Sequence, residues 1–355
     1  MIPRAPRYEI RGATPGDEEP LLTLARELNT VNLPHDRAHI RRLLALATKS
    51  FTGEIAPKLR KYVFVLWDRE EGRAAGTSMI VGQLGRRGAP YIYFDVQEEE
   101  KYAQSVDKHF EHTLLRIGFS YDGPTELGGL VVAPEYRKVP ERLGILISYV
   151  RFLFIATHRA FFRDELLAEL LPPLEPDGTS HLWEAVGRRF TEMSYAEADL
   201  LSSENKDFIR DLFPRDAIYV TLLSPEARAL IGQVGAQTRG VEKMLRRIGF
   251  KYMRRVDPFD GGPHFGAQTD EVALVRASGT FEVGAPLEHQ VGSGHAGTDG
   301  RAVKCLLGRD LPGPPYFHAL ETRVVMTGGT VNLPEAALSR LGLTTGEDVF
   351  VLPLP

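Results

Sequence analysis

The most constraining feature of the sequence is the stretch 126–156, in which a short apolar run, a break, several cations and a long apolar segment follow one another. Residues 127–132 have the length of a strand, and Ala133-Pro134-Glu135 ends it because proline has no N–H to continue a ladder. The segment from Leu143 to Ala156 carries apolar residues at helical spacing. The stretch therefore predicts a strand, a turn and a helix in that order.

The turn between this strand and this helix has the composition of an anion-binding site. Arg137, Lys138 and Arg142 lie in it, and Gly144 stands at the start of the helix. Free backbone N–H groups and the helix dipole favour an anion at a helix N-terminus, and a glycine lets a phosphate approach the backbone. The alternative interpretation is an ordinary strand-to-helix connection with solvated arginines.

The order of these parts resembles the coenzyme A pyrophosphate loop of the GCN5-related N-acyltransferases, in which an Arg/Gln-x-x-Gly-x-Gly/Ala run follows a central strand. Here the run is Arg137-Lys-Val-Pro-Glu-Arg142-Leu-Gly144-Ile, which has inserted residues and no second glycine. The resemblance narrows to one family, the arginine N-succinyltransferases, through landmarks that follow in order along nearly the whole chain. These landmarks are Glu126-Leu127-x-x-Leu130, Pro134-Glu-Tyr-Arg-Lys138, Ser148-x-x-Arg151-Phe-x-Phe-Ile-Ala156, His181-Leu-Trp183-Glu-Ala-Val-Gly187-Arg-Arg-Phe190, Ile231-Gly-Gln-Val234, Gln237-Thr238 and Phe259-Asp-Gly-Gly-Pro263.

The resemblance implies an α+β fold of the acyl-CoA N-acyltransferase (GNAT-like) type, a mixed sheet flanked by helices. The strand-rich sequence before the anion-binding turn agrees with such a sheet. His112–Phe119 is ambiguous between strand and helix, and the family pattern favours a strand. Phe161–Leu171 is predicted to continue as helix until Pro172-Pro173 ends it.

Patterns along the chain also predict its domain organisation. Residues 1–277 form the acyltransferase-like region, and an amphipathic helix that closes on an apolar residue, a glycine and an aromatic occurs twice in its second half. This repeat is compatible with a duplication into halves of about 1–160 and 161–277. Residues 278–315 are rich in Gly, Pro and His, which predicts an excursion or linker. The tail, 316–355, predicts a small β-rich C-terminal module with the order strand, strand, helix, strand.

The resemblance also implies how an acyl-CoA donor would bind. Leu130 is the position that matches the family's succinyl-CoA residue, and the backbone around it would hold the thioester and the pantetheine. Arg137, Lys138, Arg142 and the backbone of Gly144 would hold the pyrophosphate. Succinyl-CoA is therefore the expected co-substrate.

A succinyl donor ends in a carboxylate, and a buried carboxylate calls for an arginine or lysine partner. Arg151, Arg188 and Arg189 are the candidates for this partner. The alternative for each of them is a solvated or ion-paired arginine on a helix, which is the commoner situation.

Acyl transfer from a thioester to an amine needs a neutral amine, a polarised carbonyl and a protonated leaving thiolate. The sequence shows no activated serine or cysteine motif, and the resemblance implies direct attack by the amine. The family carries a proposed proton-donating histidine in Gln-Val-His-Pro-Gln-Thr, whereas this chain has Gly235 at that position. Either another group serves, with His264 and Asp260 as the predicted catalytic residues, or the protein has another acceptor or has lost activity.

Three residues are predicted near the acceptor amine. Asn32 lies in the loop between the first two helices, which lies beside the acceptor in acyltransferases of this class. Gln233 belongs to the same run as Gly235, and Asp257 is an acidic group that could bind a cationic acceptor. The alternatives are a plain interhelix loop for Asn32 and turn chemistry for Asp257 and Asp260, since Asp-Gly-Gly-Pro is a strong turn signal.

Composition argues against several other classes of protein. The net charge of -4 disfavours a nucleic-acid partner, which calls for a basic face or stripe. Cys305 is the one cysteine, so no internal disulfide forms, no zinc-type cluster is visible, and no metal is expected. The N-terminus lacks a signal-peptide core, and the apolar run Leu143–Ala156 is shorter than the roughly 20 residues that span a bilayer. We expect a cytoplasmic protein without membrane association.

These features lead to one leading hypothesis and two alternatives. The resemblance implies an N-acyltransferase that moves a succinyl group from succinyl-CoA to the α-amine of arginine or ornithine, the first step of arginine catabolism by succinylation. One alternative is an acyltransferase of the same fold with another acyl-CoA or amine. The other is a non-catalytic subunit, because the family includes two-subunit versions and Gly235 occupies the histidine position. A homo- or hetero-oligomer is expected.

Overall fold

The computed structural model describes residues 6–26, 33–87, 89–173, 175, 178–287 and 302–354. Contacts between Cα atoms divide the chain into two compact units, each built from separate stretches of sequence. The first unit comprises Met1–Gly82, Leu127–Arg163 and Asp270–Pro355, and the second comprises Gln83–Glu126 and Asp164–Thr269. The predicted halves 1–160 and 161–277 stay a prediction.

The described residues contain both strands and α-helices. The strands are β1 (Tyr8–Gly12), β2 (Lys61–Asp68), β3 (Arg73–Val81), β4 (Tyr91–Ala103), β5 (Lys108–Ser120), β6 (Thr125–Val132), β7 (Glu165–Glu169), β8 (Ile218–Tyr219), β9 (Lys251–Val256), β10 (Pro263–Gln268), β11 (Gly279–Val283), β12 (Val303–Asp310), β13 (Phe317–Thr327), β14 (Thr330–Asn332) and β15 (Asp348–Pro353). The α-helices are α1 (Glu18–Ala25), α2 (Arg37–Phe51), α3 (Leu143–Thr157), α4 (Arg188–Thr191), α5 (Tyr195–Glu204), α6 (Asp207–Leu212), α7 (Pro225–Leu230), α8 (Arg239–Arg247), α9 (Ala273–Ala277) and α10 (Glu335–Leu341). Strands β2 to β6 follow one another before α3, the first long apolar helix.

The first unit is built on strands that follow the order β13-β1-β2-β3-β6. Residues Tyr62 to Leu66 of β2 are consecutive apolar side chains, and all of them are buried, as expected for a strand covered on both faces. Helix α2 packs on β2, α1 packs on β3, and α3 packs on both strands. A mixed sheet flanked by helices is therefore confirmed.

Helix α3 is the long apolar helix that the sequence predicts after the anion-binding turn. Its side chains are buried continuously from Leu146 to Ile155, because all of them except Ser148 and Arg151 are apolar or aromatic and the helix must be enclosed. Each fully buried Leu, Val or Phe contributes about 1.5–3 kcal/mol. This burial fixes the helix and, with it, the position of the helix N-terminus.

A closed five-stranded barrel forms the C-terminal part of the first unit. Strand β12 pairs with β13 and β15, β15 pairs with β11, and β14 pairs with both β11 and β13. The predicted order strand, strand, helix, strand is confirmed by β13, β14, α10 and β15. The barrel core is apolar and consists of Val283, Cys305, Leu307, Leu320, Val324, Val331, Leu333, Ala337, Leu338, Leu341, Leu343, Val349 and Val351.

Two strands of the barrel come from the stretch 278–315 that the sequence predicts as a linker. Strand β11 pairs with β14 and β15, and β12 pairs with β13 and β15. The prediction of an irregular excursion is corrected for these two strands, whereas the domain boundaries at 278 and 316 stay predictions. The high Gly, Pro and His content of the stretch conceals two short apolar runs, and only pairing with the tail reveals them as strands.

Glu9 joins β1 to the barrel. His318 of β13 and Arg340 of α10 both contact its carboxylate, with His318 Nε2 at 3.3 Å and Arg340 Nε at 2.6 Å. Burial opposes ionisation, but the hydrogen bonds from His318 and Arg340 outweigh it and lower the pKa of Glu9 to about 2. The buried carboxylate therefore stays ionised over most of the pH range.

The second unit contains strands in the order β7-β10-β9-β4-β5-β8, and the first two residues of β6 pair in parallel with β7. The His112–Phe119 segment belongs to β5, which confirms it as a strand. Trp183, in the helical region after residue 180, shares a buried core with Phe94, Leu115 and Val256 of the sheet. Its ring stacks on Phe259 of the β9–β10 turn at a centroid distance of 4.8 Å. Trp183 Nε1 donates to the Met193 carbonyl at 3.0 Å, which satisfies its buried donor.

The prediction of a helix over Phe161–Leu171 is wrong, because residues 165–169 form β7. Glu, Leu and Ala are good helix formers, and five residues are too few for periodicity to distinguish strand from helix. Pairing with β10 and with the start of β6 decides the conformation. No helix among the described residues combines the length and the apolar character needed to cross a bilayer.

Candidate active site

The predicted anion-binding residues lie at the start of α3, in the first unit. Arg142 is the N-cap residue with a left-handed backbone, φ +55°, and its carbonyl accepts from Ile145 N at 2.8 Å. Arg137 Nε donates to the Val132 carbonyl at 2.9 Å, which ties this side chain to the end of β6. Arg137, Lys138, Arg142 and Gly144 are all exposed. The cations and the helix N-terminus are therefore open to an anionic ligand.

Packing does not require a glycine at position 144. A Cβ added to Gly144 would lie 3.8 Å from Val132 Cγ2, which is ordinary contact. The absence of a packing reason is compatible with close approach of a ligand to this backbone.

Leu130 is half-buried in β6 and follows a deformed strand residue. Gly129 has φ +55°, a conformation that glycine adopts without strain. A Cβ there would lie 2.5 Å from Met79 Cε. The backbone therefore leaves regular strand geometry directly before Leu130.

Arg151 is a buried guanidinium without a carboxylate partner among the described residues. It is 2% exposed, and its bonds go to neutral acceptors: Ser148 Oγ at 2.7 Å, the Ser148 carbonyl at 3.1 Å and the Gly128 carbonyl at 3.5 Å. Burial lowers the pKa of Arg151 to about 9, so the side chain remains protonated at neutral pH. A buried charge of this kind is costly unless an anion compensates it.

The other two arginine candidates have ordinary surroundings. Arg188 Nη1 lies 3.0 Å from Glu184 Oε2 on the surface, and Arg189 is exposed beside a shallow surface depression with His181 and Glu184. Surface ion pairs contribute about 0–1 kcal/mol. Of the three candidates, Arg151 has the environment that favours a bound carboxylate.

Asp257 and Asp260 lie in the turn between β9 and β10, in the second unit. Asp257 Oδ1 accepts from Phe259 N at 2.7 Å, and Asp260 Oδ1 accepts from Gly262 N at 2.7 Å. These bonds confirm the turn chemistry that the sequence predicts. Burial raises the pKa of both carboxyl groups, and the charge of Asp257 raises that of Asp260 further.

His264 lies in β10 and is fully buried. Its Nδ1 is 2.7 Å from Tyr91 Oη, and its Nε2 has no hydrogen-bond partner. Burial, followed by the charges of Arg255 and Lys206, lowers the pKa of His264 to about 3. Proton donation would need a protonated imidazole, which this enclosed position disfavours, and the proton-donor role of His264 stays a prediction.

Sequence reasoning missed Glu169. His264 Nε2 lies 3.6 Å from Glu169 Oε1, and the Glu169 side chain is about 35% exposed. Partial burial, followed by the charges of Glu126 and Asp257, raises the pKa of Glu169. Its segment has the composition of a helix, and only the pairing of β7 with β10 brings Glu169 beside His264.

Gly235 has no room for a side chain. Its N–H donates to the Leu171 carbonyl at 2.9 Å, and a Cβ would lie 2.7 Å from the Pro172 carbonyl oxygen. The close approach of two backbone segments explains a glycine here, independently of any chemistry. Gln233 is exposed in the same loop, and Asn32 lies outside the described residues.

Comparisons with known proteins complete the description. The sequence profile of the family described as "Arginine N-succinyltransferase beta subunit" matches residues 8–274. An "Arginine N-succinyltransferase" of Yersinia pestis is 31% identical over 324 residues, which cover 91% of this chain and 90% of that protein. The "Arginine N-succinyltransferase subunit beta" of Pseudomonas aeruginosa is 35% identical over 272 residues, covering 76% and 79%. The chain belongs to the arginine N-succinyltransferase family.

A solved structure extends this finding to the fold. The structure of "arginine/ornithine succinyltransferase subunit AI" from Pseudomonas aeruginosa superposes with a TM-score of 0.81 at 25% identity, and it covers 98% of this chain and 99% of that one. The family resemblance and the α+β acyltransferase fold class are thus confirmed. As a member of the arginine N-succinyltransferase family, the chain is a transferase that uses an acyl-CoA co-substrate.

Proposed function

We propose that this protein transfers the succinyl group of succinyl-CoA to the α-amine of arginine, the first step of arginine catabolism by succinylation. The observation that carries the proposal is Arg151, a buried guanidinium held by neutral acceptors alongside β6. A succinyl donor carries a terminal carboxylate that an acetyl donor lacks. The names of the relatives, which include arginine and ornithine, support the acceptor.

The donor would bind in the first unit. The exposed cations Arg137, Lys138 and Arg142, together with the backbone at Gly144, would bind the pyrophosphate at the N-terminus of α3. The deformed strand at Leu130 would hold the thioester and the pantetheine. The carboxylate of the succinyl group would then form charge-assisted hydrogen bonds with Arg151, which are stronger than neutral ones.

Direct attack by the amine agrees with the position of the cysteine. Cys305 is buried in the barrel core, and burial raises the pKa of its thiol to about 11. A protonated thiol enclosed by apolar side chains is not a nucleophile. Direct attack needs a group that accepts the proton of the attacking ammonium, and that proton can then pass to the leaving thiolate of coenzyme A.

Asp260 stays the residue predicted to accept this proton. Burial and the charge of Asp257 raise the pKa of Asp260. Gln233, Asp257 and Asn32 stay the residues predicted near the acceptor from the sequence.

Thiol release from purified protein tests the proposal. Succinyl-CoA and acetyl-CoA are each incubated with arginine, ornithine, lysine and putrescine, and free coenzyme A is measured. We expect release with succinyl-CoA and arginine or ornithine, and little with acetyl-CoA. Release only with another acyl-CoA or amine would assign the chain to the alternative acyltransferase.

A second candidate function is a non-catalytic subunit of a hetero-oligomeric succinyltransferase. The closed space at Gly235 favours it, since no proton-donating side chain fits there without moving the Pro172 carbonyl. The relatives named as subunits support an oligomer. Coenzyme binding without turnover, followed by turnover when a second subunit is added, would establish this role. In either role we propose a cytoplasmic location, which agrees with the single buried cysteine.

A further inference from the structure

Three side chains of metal-ligand type converge in the second unit. His264 of β10 is the register partner of Glu169 of β7, and Asp257 follows Val256, whose register partner is Pro263. One ligand-type atom from each of Glu169, Asp257 and His264 lies within 4.8 Å of the other two. Strand pairing holds the backbones of Glu169 and His264, and Asp257 N donates to the Gly262 carbonyl at 2.9 Å, so backbone hydrogen bonds fix the positions of all three residues.

His264 presents an unsatisfied nitrogen to this cluster. Nε2 is buried, has no hydrogen-bond partner and lies 3.6 Å from Glu169 Oε1, which is longer than the 2.7–3.2 Å of an N–H···O bond. A buried polar atom without a partner costs about 1–3 kcal/mol. A ligand that accepts the Nε2 lone pair would remove this cost.

Tyr91 can fix the tautomer that such a ligand requires. Its Oη lies 2.7 Å from Nδ1 of His264. When Nδ1–H donates to this oxygen, Nε2 carries the lone pair and faces the carboxylates. Histidines that bind metals usually donate their other N–H to a fixed acceptor in this way.

Several carboxyl groups interact in and around this cluster. Glu126, Asp257 and Asp260 act electrostatically on Glu169, and Asp257 acts on Asp199, while Lys206 opposes their effect. A bound cation would offset the repulsion between carboxylates that lie this close together.

We propose that Glu169, Asp257 and His264 bind a divalent transition-metal cation such as Zn²⁺. One imidazole nitrogen and two carboxylate oxygens suit Zn²⁺, Mn²⁺ and Fe²⁺, whereas Mg²⁺ and Ca²⁺ select oxygen ligands. Bonds of about 2.0–2.2 Å in a tetrahedral site place ligand atoms roughly 3.4 Å apart. The separation of 3.6 Å between Nε2 and Oε1 is close to this value, and a rotation of the partly exposed Glu169 adjusts it.

The sequence gives no sign of this site. Glu169 is far from the other two ligands along the chain, and the segment that contains it has the composition of a helix. Ligand spacing in sequence detects sites on one helix or one hairpin, and it does not detect ligands that pair across strands from distant segments. The expectation of no metal depends on the spacing of ligands along the sequence, and that spacing does not detect ligands arranged in this way.

Titration of the full-length protein with zinc tests the proposal. Protein treated with a chelator and dialysed is titrated with ZnCl₂ in a calorimeter, and CoCl₂ is added in parallel to record visible absorption bands. We expect one equivalent to bind, and we expect Glu169→Gln and His264→Ala to weaken binding at least tenfold. Tyr91→Phe, which removes only the partner of Nδ1, should weaken it by about 10–100-fold.

His181→Ala is the matched control. His181 Nε2 pairs with Glu175 Oε1 at 2.8 Å on the surface of the same unit, so this variant loses a His–Glu pair outside the cluster and should bind zinc as the wild type does. If His264→Ala fails to fold, Glu169→Gln decides alone, because it keeps the shape of a partly exposed side chain.

Three results would overturn the proposal. They are binding of less than one equivalent, equal binding by Glu169→Gln and the wild type, and stoichiometric binding of arginine in place of Zn²⁺ with loss in Glu169→Gln. The last would identify the cluster as a site for an organic cation. Since the titration uses no acyl donor, its failure leaves the proposed acyl transfer untouched.

Discussion

Replacing Arg151 with methionine separates a role in donor recognition from a role in folding. The variant removes the guanidinium and keeps a long apolar side chain in α3, a helix whose neighbouring residues are buried and apolar. We expect kcat/KM for succinyl-CoA to fall while kcat/KM for acetyl-CoA stays within about twofold of the wild type. The difference isolates the contact with the terminal carboxylate, because the rest of the two donors is the same.

The bonds of Arg151 set the expected magnitude. A charge-assisted hydrogen bond contributes about 1.5–3 kcal/mol, so loss of one such bond to the succinyl carboxylate lowers kcat/KM by roughly 10- to 150-fold. Stability should change little. The guanidinium loses its bonds to Ser148 at 2.7 and 3.1 Å, but the protein no longer buries an unpaired charge, and replacing buried charges with apolar groups is often neutral or stabilising.

The assay measures thiol release with both donors, together with urea unfolding of each variant. Arg188→Met is the control, because Arg188 is a surface residue whose ion pair with Glu184 is worth little. An equal loss with succinyl-CoA and acetyl-CoA would refute the assignment of Arg151 to the succinyl carboxylate. A fall of more than about 3 kcal/mol in the free energy of unfolding would show that Arg151 is primarily structural.

Three further predictions concern the anion-binding turn, the glycine at the family's histidine position and the pH dependence of stability. Gly144→Ala should leave the free energy of unfolding unchanged or raise it by about 0.5–1 kcal/mol. The same variant should bind coenzyme A more weakly in calorimetry, and an affinity equal to that of the wild type would show that no phosphate approaches this backbone. Gly235→Ala should lower the free energy of unfolding by about 1–3 kcal/mol, because Cβ would lie 2.7 Å from a carbonyl oxygen, so unchanged stability in urea would contradict the close approach. The folded-state pKa of Glu9, about 2, lies below the unfolded value of 4.5. The wild type should therefore be more stable than Glu9→Gln above about pH 4.5 and lose this advantage as the pH falls towards 2. A stability difference that does not change with pH would contradict this coupling between the ionisation of Glu9 and folding.

Much of the first unit could be predicted because its signals are local. The proline at the end of β6, the cations of the turn and the apolar segment of α3 specify strand, turn and helix within about thirty residues. The structure places Arg137, Lys138, Arg142 and Gly144 together at one helix N-terminus for the same reason. Local sequence order alone brings these residues together.

The second unit shows where local reasoning fails. The segment that contains Glu169 has helix-forming composition, yet it becomes β7 because β10 and β6 supply hydrogen-bonding partners. The burial that favours a neutral His264 also depends on distant segments. No residue near His264 in the sequence indicates that burial. The order of residues in the sequence predicts roles for His264 and Asp260, but it does not indicate how deeply each side chain is buried or which charges surround it.

The sequence by itself determined the fold class, the family and the strand, turn and helix that contain Arg137, Lys138 and Arg142, because each is specified by the order of residues along the chain. Only the tertiary structure decided that Gly235 has no space for a side chain, that Arg151 is a buried charge without a carboxylate partner among the described residues, and that Glu169 faces His264. Electrostatic environment and packing space depend on what surrounds a side chain in three dimensions, and strand pairing brings those surroundings from distant parts of the chain.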